Sequence, residues 1–115
     1  MPDANLSEAA MQSRCFIWAW NNYPNHRQML FHVNNKAMNR IEGSKFKAMG
    51  MVKGVSDMIL VCPGFVVFME FKLPGQMQKP EQISFQQKVE TRGHKYHIIT
   101  SEKQFQELFK QYLRL

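Results

Sequence analysis

The sequence predicts an α/β domain: a mixed sheet with helices packed on it, in the order helix, strand, strand, strand, helix, strand, helix. Three observations predict it. Two apolar runs, 57–62 and 65–72, are separated by Pro63-Gly64 and read as neighbouring strands. A third strand-like run, 94–100, lies between two segments that carry helix start signals. The chain has 115 residues, 44% of them hydrophobic and 21% charged, which suits one globular domain spanning 1–115.

Each element has a local reason. Residues 6–22 read as a helix, with Asn5 or Ser7 able to cap it and Leu6, Ala10, Ile17 and Trp20 near one face. Tyr23-Pro24 ends it. Residues 24–53 hold Asn25, Asn34, Asn35, Asn39, Gly43 and Gly50, with one short strand-like piece at 29–33. They read as a long, partly irregular connection. After the two apolar strands, Leu73-Pro74-Gly75 breaks the chain again. A helix starts near Pro80, a residue suited to the first helical position, and runs to about Arg92, with Gly93 just past its end. The last helix opens on Ser101-Glu102-Lys103-Gln104, a capping-box pattern. Its residues Phe105, Leu108, Phe109, Tyr112 and Leu113 make a helical stripe, which is core.

Several function classes drop out. Two cysteines, Cys15 and Cys62, both set among apolar residues, do not make a disulfide scaffold, and neither has the spaced company zinc needs. A reducing, cytoplasmic compartment is expected. The opening residues lack the basic and apolar parts of a secretory signal, and Pro63-Gly64 cuts the longest apolar run, so no membrane span is expected. Neither a Ser/His/Asp triad nor a Walker-type glycine loop is present.

The informative stretch is the pair of central strands. Side chains alternate along a strand, so Val66, Phe68, Glu70 and Lys72 share one face. With Pro63 and Gly64 as the loop, Cys62 lies opposite Phe65 and Asp57 lies opposite Glu70. Directly opposed residues have Cβ atoms about 4.5–5.5 Å apart. A bulge or an odd loop would instead turn Asp57 to the other face. Two carboxylates that close, at the end of an apolar hairpin, repel one another. A hard divalent cation, Mg²⁺ or Mn²⁺, between them removes the repulsion and supports hydrolysis of a phosphate ester. Lys72 adds one balancing charge on the same face. Alone, a Glu-x-Lys triplet is more often a surface feature.

These residues carry a family resemblance. Gly54-Val55-Ser56-Asp57, the triplet Glu70-Phe71-Lys72, and Lys79-Pro80-Glu81-Gln82 with Phe85 and Gly93 resemble the VRR-NUC domain of the PD-(D/E)XK nuclease superfamily. The resemblance extends to Glu8 and Gln12 in the first helix and to Phe46-Lys47-Ala48-Met49-Gly50. Ser56 stands where that family usually has proline. The resemblance implies a restriction-endonuclease-like core with Asp57, Glu70 and the backbone carbonyl of Phe71 as metal ligands. It implies a catalytic role for Lys72, a steadying role for Gln82, and Glu8 as an acid able to join the metal shell. It also implies 5′-phosphate and 3′-hydroxyl products and Mg²⁺ or Mn²⁺ as cofactor. Standalone domains of this kind resemble structure-selective nucleases of phage or bacterial origin, some acting as homodimers on branched DNA.

Charge points to the same partner. The chain carries a net charge of +6. Residues 24–53 contain Arg27, Lys36, Arg40, Lys45, Lys47 and Lys53 against a single acid, Glu42. Lys36, Arg40, Lys45, Lys47 and Lys53 are therefore the expected DNA contacts. Tyr23 and Phe46 are candidates for base stacking, whereas Trp18 is expected in the core and His32 in a structural role. The expected function is a metal-dependent DNA endonuclease; the alternative is a binding module of the same fold without cleavage.

Overall fold

The computed structural model describes residues 7–33 and 39–115. Helix α1 (Glu8–Asn22) opens the chain, and the Ser7 side chain caps it by accepting from the Ala10 N–H at 2.9 Å. A 3-10 turn, Pro24–His26, leads to a short strand, β1 (Leu30–His32). Then come α2 (Arg40–Ala48), β2 (Met58–Cys62), β3 (Phe65–Phe71), α3 (Pro80–Glu90), β4 (Lys95–Ile99) and α4 (Glu102–Leu113). Helix α2 is an addition to the expected order. The sheet runs β1-β2-β3-β4, with antiparallel pairing except between β3 and β4, which are parallel across the α3 crossover.

The hairpin forms in the expected register. Cys62 pairs with Phe65 and Met58 with Met69. Pro63 fixes one central angle of the turn, and Gly64 takes φ +86°, as the second central residue of a type II turn requires.

The sheet buries its two faces differently. Leu30, Met58, Leu60, Val67, Met69, Phe71 and Ile99 lie on one face, and α1 and α4 close over it. Phe105 and Phe109 of α4 are fully buried there, as their stripe predicts. Trp18 stacks edge-on against both, and half-buried Tyr23 packs against the core with its ring tilted on Phe109. Cys15 and Cys62 are free and buried in this layer. The opposite face carries Phe68, Glu70 and Tyr96 beneath α3, with Phe85 reaching down to Phe68 and Tyr96.

One expected face is corrected. α1 buries Met11, Cys15 and Ala19, while Ile17 and Trp20 are exposed. The spacing i, i+4, i+8 of the smaller residues lets the helix approach the sheet closely, and the larger apolar side chains fall on its flank. Among the described residues, no helix is long and apolar enough to cross a membrane.

Candidate active site

The geometry of the candidate site starts where β2 meets β3. The hairpin register, continued one residue past Met58–Met69, sets Asp57 opposite Glu70. Asp57 lies just before β2, and its carboxylate accepts the Phe71 N–H at 2.8 Å. That bond replaces the next rung of the ladder and pins the carboxylate against β3. In a strand, a residue's N–H and C=O project to the same side. The Phe71 carbonyl therefore faces the Asp57 edge, while the next N–H, that of Lys72, bonds Ile99 O at 3.0 Å on the other side.

Glu70 is 5% exposed and Lys72 6%. Burial is the main cause that pushes the Glu70 carboxyl up to about 8. The neighbouring Asp57 charge adds to it, as does a hydrogen bond shared between the two carboxyls, with a further push from Glu8; Lys72 pulls the other way without cancelling them. The pair is thus short of positive charge. Its donors are hard oxygens, two carboxylates and the carbonyl of Phe71, which suit a small divalent cation rather than a soft one. Among the described residues, no three His, Cys, Asp or Glu side chains converge closely enough to hold a metal ion. Asp57, Glu70 and the Phe71 carbonyl could hold one with water or phosphate oxygens completing the shell. Glu8 lines the same cleft and acts on Glu70 through charge.

The cleft has a volume of about 750 Å³, and Lys53, Lys72, Lys79 and Gln82 help to line it. Its far wall is the start of α3. There the Gln82 side-chain oxygen accepts the Lys79 N–H at 2.8 Å, which fixes the first turn. Gly54 docks the Asp57 loop onto that turn. A Cβ at Gly54 would lie 2.2 Å from the Glu81 carbonyl oxygen, and its φ is +90°. Ser56 is fully buried, and its hydroxyl donates to Met58 O at 3.0 Å, holding the approach to β2 in place of the proline.

No family model matches the sequence, and no curated protein matches it. Among solved structures, a VRR_NUC domain protein superimposes on 96% of this chain and 90% of its own, with a TM-score of 0.81 and 19% identity. The chain has the VRR-NUC fold. The mixed sheet and flanking helices thus stand as expected, with α2 added between β1 and β2.

The VRR-NUC fold brings most of the expected residues together. Asp57, Glu70, Lys72, Gln82, Glu8 and Lys53 all line one cleft. Arg40, Lys45 and Lys47 stand exposed on α2, at a distance along the chain from it. Lys36 lies outside the described residues.

Of three further neighbours of the site, the sequence named Gly54 in a motif without its close contact to α3 and gave His32 a structural role, and it left Tyr96 unmarked. His32 stands on β1 with Nδ1 3.0 Å from the Asp57 carbonyl and 2.9 Å from the Gln12 amide, so it braces the loop from behind. Tyr96 is 4% exposed, and its hydroxyl has no hydrogen-bond partner among the described residues. Gln78 comes near it without completing a bond, its own amide donating to Gln86 at 2.8 Å. Burial chiefly, with the charges of Glu70 and Asp57, pushes the phenol up to about 12, so it stays a neutral donor. No pattern in the sequence marks it, because its position follows only from β4 lying parallel to β3.

Proposed function

We propose that this protein is a metal-dependent endonuclease that hydrolyses DNA phosphodiester bonds, with branched, flapped or four-way DNA as preferred substrate. The observation that carries the reading is the buried Glu70 carboxyl held against Asp57, with Lys72 beside them, in a cleft open to solvent. The VRR-NUC fold supports it.

Each side chain has a task in that reaction. Asp57, Glu70 and the Phe71 carbonyl would hold Mg²⁺ or Mn²⁺, which would lower the pKa of water and offset phosphate charge. The Lys72 ammonium donates to the attacking water or to a non-bridging phosphate oxygen as charge builds there. Water attacks phosphorus and the bond to the 3′ oxygen breaks, leaving a 5′-phosphate and a 3′-hydroxyl. Gln82 keeps the start of α3 at the cleft. Lys53, on the cleft wall, and Arg40, Lys45 and Lys47 of α2 contact the backbone, and Lys36 belongs to the same basic stretch.

The test is cleavage of nicked, flapped and four-way DNA with Mg²⁺ or Mn²⁺, repeated in EDTA. Cleavage is expected with either metal, absent in EDTA, and reduced about a hundredfold or more by Lys72→Ala. Full activity in EDTA, or in Lys72→Ala, overturns the mechanism. DNA binding without cleavage in either metal identifies an inactive binding module instead.

Paired cuts need two sites, and one domain of this size covers a short piece of duplex, so we propose a homodimer as the working form. The exposed Ile17, Trp20, Met29 and Phe31 around α1 and β1 offer it an apolar surface. Sedimentation at micromolar concentration is expected to give twice the monomer mass; a monomer on branched DNA as well as free would remove this part.

A further inference from the structure

Helix α2 packs little against the other described elements. None of its nine residues is buried. Among the described residues it makes at most glancing contact with the other helices and strands. A helix this short is marginal in water without packing. Its support is local: the Asn39 side chain accepts the Glu42 N–H at 2.8 Å, and the Met49 N–H closes the far end on Lys45 O.

The exposed face of α2 has a pattern. Arg40, Ile41, Ser44, Lys45 and Ala48 follow i, i+1, i+4, i+5, i+8 and are all exposed. Glu42, Gly43 and Phe46, which share the other side, are less exposed. The acid thus turns away from the face that the cations occupy. In the middle of that face Ile41 is 84% exposed, and Met49, just past the helix, is 73% exposed. A single exposed isoleucine is ordinary. An exposed one flanked by Arg40 and Lys45, on a helix none of whose residues is buried, suits a partner with both negative charge and apolar surface. A nucleic acid offers both where its strands part: phosphates outside and bare base faces within.

We propose that α2 is a DNA-engaging arm. Arg40 and Lys45 grip phosphates, and Ile41 packs on an unstacked base within about one helical turn of the cut, selecting DNA that is already open. This rests on the nuclease reading and adds the element that recognises the branch. The reach is bounded by the chain. Five residues lead from Met49 to Gly54 on the cleft wall, at most about 3.6 Å each, or roughly 18 Å. Helix α2 adds about 12 Å from Met49 back to Ile41, so at 3.4 Å per base step Ile41 meets DNA within about nine steps, close to one helical turn, of the cleft wall.

The test uses the full chain in EDTA, where binding is read without cutting. A 2-aminopurine base is placed next to the branch point of a flapped duplex, and the same base in an unbranched duplex is the control. Wild type is expected to raise its fluorescence at the branch and not in the control. Ile41→Ser, at a fully solvated position that leaves folding intact, is expected to lose at least four-fifths of that rise, and Ile41→Met to keep most of it. Binding of Ile41→Ser to unbranched duplex should stay within twofold of wild type. Arg40→Ala with Lys45→Ala should weaken both DNAs and flatten the slope of log affinity against log salt by about two. An equal fluorescence rise in wild type and Ile41→Ser overturns the proposal. So does an altered sedimentation mass in Ile41→Ser with unchanged fluorescence, which would place a protein on that face. A protein that unstacks the base but never cuts with metal sinks the nuclease reading and leaves the arm; one that cuts while ignoring Ile41→Ser does the reverse.

Discussion

Glu70→Gln is expected to stabilise the metal-free protein at alkaline pH while cutting DNA cleavage by about a thousandfold. The two effects share one cause. The Glu70 carboxyl is buried against Asp57, and it titrates near 8 rather than at its ordinary 4.5. The folded state thus holds a proton that the unfolded chain releases earlier. Stability from this group is fully present below pH 4.5 and falls as pH rises through about 8. Glutamine keeps the shape and carries no charge, so it escapes that loss. Because the cleft admits water, a gain of roughly 1–3 kcal/mol at pH 8.5 is expected, with little at pH 4. Thermal unfolding in EDTA at both pH values measures it. With Mn²⁺ the order should narrow or reverse, because bound cation stabilises the carboxylate form alone. A variant less stable than wild type at pH 8.5 in EDTA would show that Glu70 bears no such penalty.

The second large effect belongs to a residue with no side chain. Gly54→Ala places a methyl group 2.2 Å from the Glu81 carbonyl oxygen and 2.6 Å from its carbon, and it does so at φ +90°. Neither atom is the tip of a flexible side chain, so the first turn of α3 must move or the Asp57 loop must lift. Strained backbone and overpacking together are expected to remove about 3 kcal/mol. Gly64→Ala supplies the comparison. Its φ is +86°, but nothing stands within 4 Å of its Cβ. It should lose only about 1 kcal/mol. Denaturant unfolding of the two variants separates strain from clash. Gly54→Ala should in addition lose activity, since Asp57 and Gln82 would no longer face each other across the cleft. Equal losses from the two substitutions would mean that α3 yields freely and that the contact sets nothing.

The hairpin and its carboxylates were legible because they obey a local rule. A two-residue loop and strict alternation suffice to set Asp57 opposite Glu70. The α4 stripe was legible for a similar reason, as Phe105 and Phe109 are large and regularly spaced. Helix α2 was not, because a helix that buries nothing leaves no apolar period to detect. In α1 the size of Ile17 and Trp20 outweighed the quieter spacing of Met11, Cys15 and Ala19. Gly54 and Tyr96 owe their importance to segments remote in sequence, the α3 turn and the β3–β4 pairing. Only the folded chain shows those neighbours.

The two buried thiols have a practical consequence. Cys15 is 1% exposed and its thiol is pushed up to about 12, by burial first and then by Glu102; burial also raises Cys62, which is 6% exposed. Alkylating dyes react with thiolate, and at neutral pH neither native sulfur supplies much of it. A cysteine introduced on the solvent face of α2 would therefore take a fluorophore selectively in the otherwise natural chain, turning the arm into its own reporter without first stripping sulfur from the core.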